Sequence, residues 1–189
     1  MQVTVTGSAR RAQIVTATIA TIAELGYRQA SFARIARSAG LSSTRLISYH
    51  FAGKDELIAQ VIATIQGRLS AFMTERVRTQ RTAGAALETY IRSLAEYVSE
   101  HRAEMRAATE ILLNHRPETA GLSALSHLER LLVWGQESGE FGAFNVRVTA
   151  MAVQRALDGL PLLLEADPDA DPAEYADGLA ALFARAVLA

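Results

Sequence analysis

The chain has 189 residues, half of them apolar, a formal net charge of −1 and no cysteine. Length and composition describe a globular protein of one domain or two small ones and exclude a disordered chain. The lack of cysteine excludes a disulfide framework, a thiolate metal site and a cysteine nucleophile. The near-neutral total conceals a strong asymmetry. Residues 1–54 hold seven Lys/Arg and a single acid, Glu24, for a net +6, whereas residues 55–189 carry −7. Such a split predicts that the basic segment meets a polyanion and the acidic remainder does something else. No apolar run reaches membrane-spanning length. The opening residues, MQVTVTGSARR, lack the apolar stretch of a secretion signal, so the expected location is cytoplasmic.

In chain order, residues 1–8 are expected to be disordered. A first helix then runs from Ser8 to Leu25, with Val15, Ile19 and Ile22 forming a stripe that Ile14 and Ala17 widen. Gly26 suits the left-handed cap that ends it. Ser31 is a good N-cap for a second helix, whose Phe32, Ile35, Ala36 and Ala39 share one face before Gly40 closes it. A third helix is expected from about Ser43 to Phe51. At 100° per residue, Leu46, Ile47, His50 and Phe51 fall on one side, and Thr44, Arg45, Ser48 and Tyr49 on the other. A fourth opens at Lys54-Asp55-Glu56, whose acids suit the positive end of a helix dipole, and runs toward Arg81. Periodicity predicts further helices at about 84–100, 102–115, 118–138, 145–165 and 172–187, punctuated by Pro117, Gly139–Gly142 and Asp167–Pro172. No stretch alternates like a strand. The fold class is therefore all-α, about nine helices: an N-terminal three-helix helix-turn-helix domain (residues 1–54) and a C-terminal helical bundle (residues 55–189).

Two short helices joined by a tight Gly-containing turn match the helix-turn-helix, whose second helix lies in the DNA major groove. That helix needs an apolar side to dock on its partners, an exposed side of hydrogen-bonding groups, and positive surroundings. Leu46, Ile47 and Phe51 meet the first need, and Thr44, Arg45, Ser48 and Tyr49 the second. Arg45 is the best single candidate for a base contact, because a guanidinium binds guanine O6 and N7 bidentately. Thr44 and Ser48 suit phosphates or base edges, and Tyr49 a phosphate or a thymine methyl. By the helical wheel alone His50 is a packing residue. Lys54 starts a helix, where its ammonium and nearby backbone N–H groups attract a phosphate together.

At these residues the N-terminal segment resembles the DNA-binding domain of the TetR family of transcriptional regulators. The matching run is Ile35-Ala36, Ala39-Gly40-Leu41-Ser42, Tyr49-His50-Phe51 and Lys54-Asp55-Glu56-Leu57, within about residues 10–60. Farther on, Leu157-Asp158-Gly159-Leu160 resembles the family's penultimate helix. The resemblance implies that the third helix reads an operator and that Ser31, His50 and Lys54 touch phosphates. It also implies a ligand-responsive regulator, a repressor that binds a palindromic operator as a homodimer and is released by a small apolar or amphipathic effector. The chain departs from the family pattern in three respects: Thr44-Arg45 replaces the small residue near the start of the recognition helix, the tyrosine common at the position of Ser48 is absent, and the turn differs in length. Ser42-Ser43 lengthens by one residue the interval between the turn glycine and the aromatic-Phe pair, so either Arg45 or Thr44 is the main base reader.

The acidic region carries more apolar surface than one helix layer needs. Val146, Val148, Met151, Val153, Leu157 and Leu160 lie in the 145–165 helix, and Leu179, Leu182, Phe183, Val187 and Leu188 in the last. Helices apolar on more than one side are central in a core or shared with another chain. The resemblance implies a homodimer through these last two helices. It also implies an effector pocket among the helices at 84–138 and 145–165. From the residues alone, Phe72, Met73, Tyr90 and Tyr97 suit an adaptable apolar lining, as do Met105, Trp134 and Met151. Glu110, Asn114 and Gln154 are polar groups on otherwise apolar helices, placed to orient a ligand or simply exposed. No cofactor and no metal is expected. A helical-bundle enzyme is the rival reading, drawn from Glu100-His101 with Glu104, but such metal sites need a second Glu-x-x-His on another helix. A ligand-binding bundle that does not bind DNA is the other. No phosphate loop, nucleophile elbow or His-Glu-x-x-His motif is present.

Overall fold

The computed structural model describes residues 5–115 and 122–188, and among them every regular element is helical. In chain order these are α1 (Val5–Leu25), α2 (Phe32–Ser38), α3 (Arg45–His50), α4 (Lys54–Val77) and α5 (Ala83–Glu100). They continue with α6 (Arg102–Asn114), α7 (Leu122–Glu137), α8 (Val146–Asp158), α9 (Leu160–Ala166) and α10 (Pro172–Leu188). A single 3-10 turn, Tyr27–Gln29, follows α1.

Several boundaries differ from the sequence expectation, each for a local reason. Val5–Ser8 are helical, as the first turn of α1 rather than a disordered arm. The part of that expectation on residues 1–4, like the helix start at 118 and the break at Pro117, lies outside the described residues. α4 stops at Val77, short of Arg81. There the Thr79 hydroxyl and the Gln80 amide donate to the Arg76 carbonyl at 2.8 and 3.2 Å, replacing the next helical N–H. Thr82 then opens α5 by accepting from the Ala85 N–H. The helix expected over 145–165 is two helices that part at Gly159. Pro161 has no N–H to offer the Leu157 carbonyl and its ring crowds that position, so the ladder breaks.

The chain packs as two compact units. The first comprises residues up to Arg68 together with 102–118; the second comprises 69–101 and the rest. This packing division does not follow the charge division after Lys54, because the first part of α4 and all of α6 belong with α1–α3. In the first unit, Ile14, Ile22, Ile35, Ile47 and Leu57 are fully buried, and Val61 and Ile111 join them from α4 and α6. Thr18 and Thr21, also buried, donate back to the carbonyls of Ile14 and Ala17 and leave no orphan hydroxyl.

The second unit is built around α5, whose Leu87, Ile91, Leu94 and Val98 form the buried stripe of an amphipathic helix and which packs against α10, α7 and α8. Its N-terminus is capped from a distance. The Glu140 carboxylate accepts from the Ala83 and Gly84 N–H groups, both at 3.1 Å, and these bonds hold its pKa below the usual carboxylate value. Phe141 lies so close over Gly135 that a Cβ there would fall 2.0 Å from the ring. Gln136 ties the same loop down by donating to the carbonyls of Gly142 and Phe144. Among the described residues no helix is long and apolar enough to cross a membrane.

Candidate nucleic-acid interface

The helix-turn-helix is assembled by local chemistry. The Ser31 hydroxyl accepts from the Arg34 N–H at 3.4 Å and caps α2. At the other end, Gly40 takes φ of 63°. The Leu41 N–H bonds the Ala36 carbonyl and the Gly40 N–H bonds that of Arg37, at 2.8 and 3.1 Å. This is a Schellman motif, which glycine favours because it carries no Cβ into the left-handed region. The chain then crosses Ser42, Ser43 and Thr44 before α3 begins. Thr44 flanks α3 without a side-chain cap; the Ser43 hydroxyl accepts from the Arg45 N–H at 3.1 Å instead.

Burial divides α3 as the wheel requires. Ile47 is fully buried and Phe51 nearly so, which anchors the helix in the first unit's core. Burying one such side chain contributes about 1.5–3 kcal/mol. Ser42, Ser43, Thr44, Arg45 and Ser48 are exposed, and Tyr49 is 82% exposed. His50 is half-buried, with its ring edge-on to Tyr49 at 5.1 Å.

The basic residues separate into two groups. Arg28 donates to Asn114 at 3.0 Å, and Arg34 to the Gln29 carbonyl and side chain. Lys54 donates to the Tyr27 carbonyl at 3.1 Å with its ammonium 4.4 Å from the Tyr27 ring centre, so part of its charge serves the fold. Arg11 donates to the His50 carbonyl at the end of α3. Arg37 and Arg45, by contrast, are exposed, and among the described residues their guanidinium groups make no hydrogen bond or ion pair. Arg37, in the last turn of α2, is a further exposed cation that the sequence pattern did not single out; the charge count held the only signal.

The ten side chains read as a pocket divide between the units. Met105, Glu110 and Asn114 lie in the first. There Glu110 accepts the Tyr27 N–H at 3.0 Å and Asn114 accepts from Arg28, so both fasten α6 to the turn after α1. In the second unit Phe72 meets Tyr97 edge-on at 5.2 Å, with Met73 half-buried on the same helix. The buried Tyr90 hydroxyl donates to Gln154 at 2.8 Å, and Gln154 donates on to Asp158 at 2.7 Å. Burial, with Asp158 adding to it, pushes the Tyr90 phenol up to about 12. Trp134 and Met151 are 38% and 40% exposed, and Trp134 lines an open groove along α7 beside Glu129, Arg130, Val133 and Glu137. Of the residues behind the enzyme reading, Glu104 pairs with Arg68, and His101 stacks on Tyr97 with ring centres 4.1 Å apart.

Residues 14–61 match the family model described as bacterial regulatory proteins, tetR family. The chain is 28% identical over 156 residues to the HTH-type transcriptional regulator BetI of Cronobacter sakazakii, covering 80% of this chain and 77% of that protein. Among solved structures it resembles a tetR-family regulatory protein from Rhodococcus RHA1, with a TM-score of 0.81, 21% identity and coverage of 94% and 96%. It also resembles the regulator FadR of Bacillus subtilis in complex with stearoyl-CoA, with a TM-score of 0.75, 20% identity and coverage of 92% and 97%. The structural likenesses speak for the fold, while the family model covers the segment that carries the turn, the exposed face of α3 and the start of α4. The segment 14–61 is thus similar to the DNA-binding part of the tetR family of bacterial regulatory proteins, and most of the chain is similar to an HTH-type transcriptional regulator.

Proposed function

We propose that this protein is a ligand-responsive transcriptional repressor that binds a palindromic operator as a homodimer. The carrying observation is the exposed face of α3, where Thr44, Ser48, Tyr49 and Arg45, whose guanidinium has no partner among the described residues, stand over a fully buried Ile47. Arg45 reads a base edge. Thr44, Ser48 and Tyr49 touch base edges or phosphates beside it. Phosphate contacts come from Ser31, Ser42, Ser43, His50 and Lys54; Lys54 uses the N–H donors that Tyr27 leaves open. The start of α3 at Arg45 supports the guanidinium over Thr44 as the main reader, because residues at the N-terminal end of a recognition helix reach base edges.

The second copy covers the apolar surface that the last helices leave exposed: Val148 and Met151 on α8, Leu162 on α9, and Leu182 and Leu188 on α10. Two-fold symmetry then presents two α3 helices to half-sites roughly 34–36 Å apart. The effector is a small apolar or amphipathic molecule, in keeping with the stearoyl-CoA of the FadR relative. It binds in the second unit near Phe72, Met73, Tyr97 and the Tyr90–Gln154 pair. α4 runs without interruption past Arg68, where the packing division falls, and transmits a tilt from the effector site to α3. Effector and operator favour different arrangements of one dimer, so each weakens the other's binding.

Selection of bound duplexes from a random DNA pool tests the proposal. The expected product is a palindrome with half-sites one helical turn apart, and recovery of no enriched sequence refutes it.

A further inference from the structure

Both helices of the DNA-reading motif end on side chains from α1. The Gln13 amide donates to the Ala39 carbonyl at the end of α2, at 2.7 Å. One guanidinium nitrogen of Arg11 donates to the carbonyl of His50, the last residue of α3. Its other terminal nitrogen lies 3.3 Å from Glu56 and 3.5 Å from Gln60 on α4, and its carbon sits 4.2 Å from the centre of the Phe51 ring. Glu56 in turn accepts the Ala52 N–H at 2.6 Å, across the turn between α3 and α4. A single guanidinium therefore fixes the end of α3, the aromatic residue that follows it and the start of α4.

We infer that Arg11 is a positioning residue for operator recognition: it sets the axial and rotational placement of α3 without touching DNA itself. The physical reason lies in the length of α3. Six residues give too few internal hydrogen bonds to hold a helix on their own. Ile47 and Phe51 pin its inner face, yet two apolar contacts leave rotation about the helix axis only loosely set. A cation at the negative end of the helix dipole, with directed bonds to one carbonyl and one carboxylate, removes that freedom. Base readout tolerates little misplacement, because bidentate geometry is lost when the donor fork turns. Phosphate contacts are far less exacting. Loosened placement therefore damages discrimination more than general affinity.

The inference rests on the DNA-binding reading, and its test separates the two. Full-length wild type and Arg11→Met are titrated against a duplex enriched from a random pool by the wild type and against a scrambled duplex of equal length, over a range of salt. The ratio of the two affinities is expected to fall by about tenfold or more, comparable to one mismatched base pair. The slope of log affinity against log salt stays as in the wild type. Loss of a phosphate contact instead makes that slope shallower by about one, and that result overturns the inference. So does a ratio that is unchanged while only the melting temperature drops, since this marks Arg11 as a plain stabiliser. Arg11→Lys, which keeps the charge and a single donor direction, checks a variant that fails to fold; it is expected to restore folding while leaving the ratio below wild type, and full recovery of the ratio counts against the bidentate clamp. Wild type that enriches no duplex at all refutes the DNA-binding reading instead.

Discussion

Replacing Arg45 with alanine isolates base reading from everything else the helix does. Among the described residues its guanidinium has no hydrogen-bond or ion-pair partner, and the residue is exposed. Truncation therefore leaves no buried group unsatisfied and no cavity, and the change in folding stability stays within about 0.5 kcal/mol. Against DNA, losing a bidentate contact to guanine costs about 1–3 kcal/mol per half-site. That corresponds to roughly 5- to 150-fold in affinity for each half-site lost. Fluorescence anisotropy with the selected duplex, and with variants carrying one changed base pair, measures both affinity and discrimination. The variant protein is expected to tolerate substitution at one symmetric position and to keep wild-type discrimination elsewhere. Equal weakening on every duplex together with a shallower salt slope refutes base reading and marks a phosphate contact. Ile47→Ala, one helical side away and fully buried, supplies the contrast, with a stability loss of about 2–5 kcal/mol.

Lys54→Ala is expected to weaken all duplexes alike and to make the salt slope shallower by about one, as measured by titration at several salt concentrations. Gly135→Ala drives a Cβ into the Phe141 ring, and because that ring is itself buried the cost is about 1–3 kcal/mol, read as a lowered midpoint in urea unfolding. Tyr90→Phe leaves the Gln154 oxygen buried without its donor, at a cost of about 1–3 kcal/mol near neutral pH. The same phenol has a folded pKa raised from 10.0 to about 12. Its contribution is therefore complete below pH 10.0 and is lost as pH rises through about 12, so denaturation followed across that window falls less steeply for the phenylalanine variant than for the wild type.

The legible parts of the chain were those where local rules and burial agree. Ser31, Gly40 and the Leu46-Ile47 pair each obey a cap, turn or wheel rule, and each does so in the fold because nothing distant competes with it. Pro161 was equally visible, yet a continuous apolar run on both sides of it masked the break it causes between α8 and α9. The reach of Arg11 to His50 spans 39 residues, and no periodicity encodes a partner that far along the chain. Glu110 and Asn114 were likewise beyond local rules. Polar groups on an apolar helix left a ligand role and plain exposure open, and the structure adds a third use: they bind the Tyr27 N–H and Arg28, because α6 packs with α1.

The resemblance implies a turn between α2 and α3 one residue longer than the family pattern, and the geometry of the turn limits where such a residue can be accommodated. The Schellman bonds close α2 at Gly40 and fix Leu41, so the excess cannot be taken up on that side. At the far side Ile47 and Phe51 are locked in the core, and the Phe51 N–H still bonds the Ile47 carbonyl at 2.9 Å. The slack therefore lies in Ser42–Thr44, where three exposed residues carry the chain and α3 starts only at Arg45. A shift of one residue within a helix turns a side chain by about 100°, enough to carry it from groove floor to backbone. Here that rotation is absorbed before the helix begins, so the phase of Arg45, Ser48 and Tyr49 is set by the buried Ile47 and Phe51 together with the Arg11 contacts at the end of α3, and not by the length of the turn. Shortening the turn by deleting Ser42 is then expected to spare the docking of α3 while straining its first turn; a loss of operator discrimination as large as that of Arg45→Ala would show that the turn, and not the core, sets the phase.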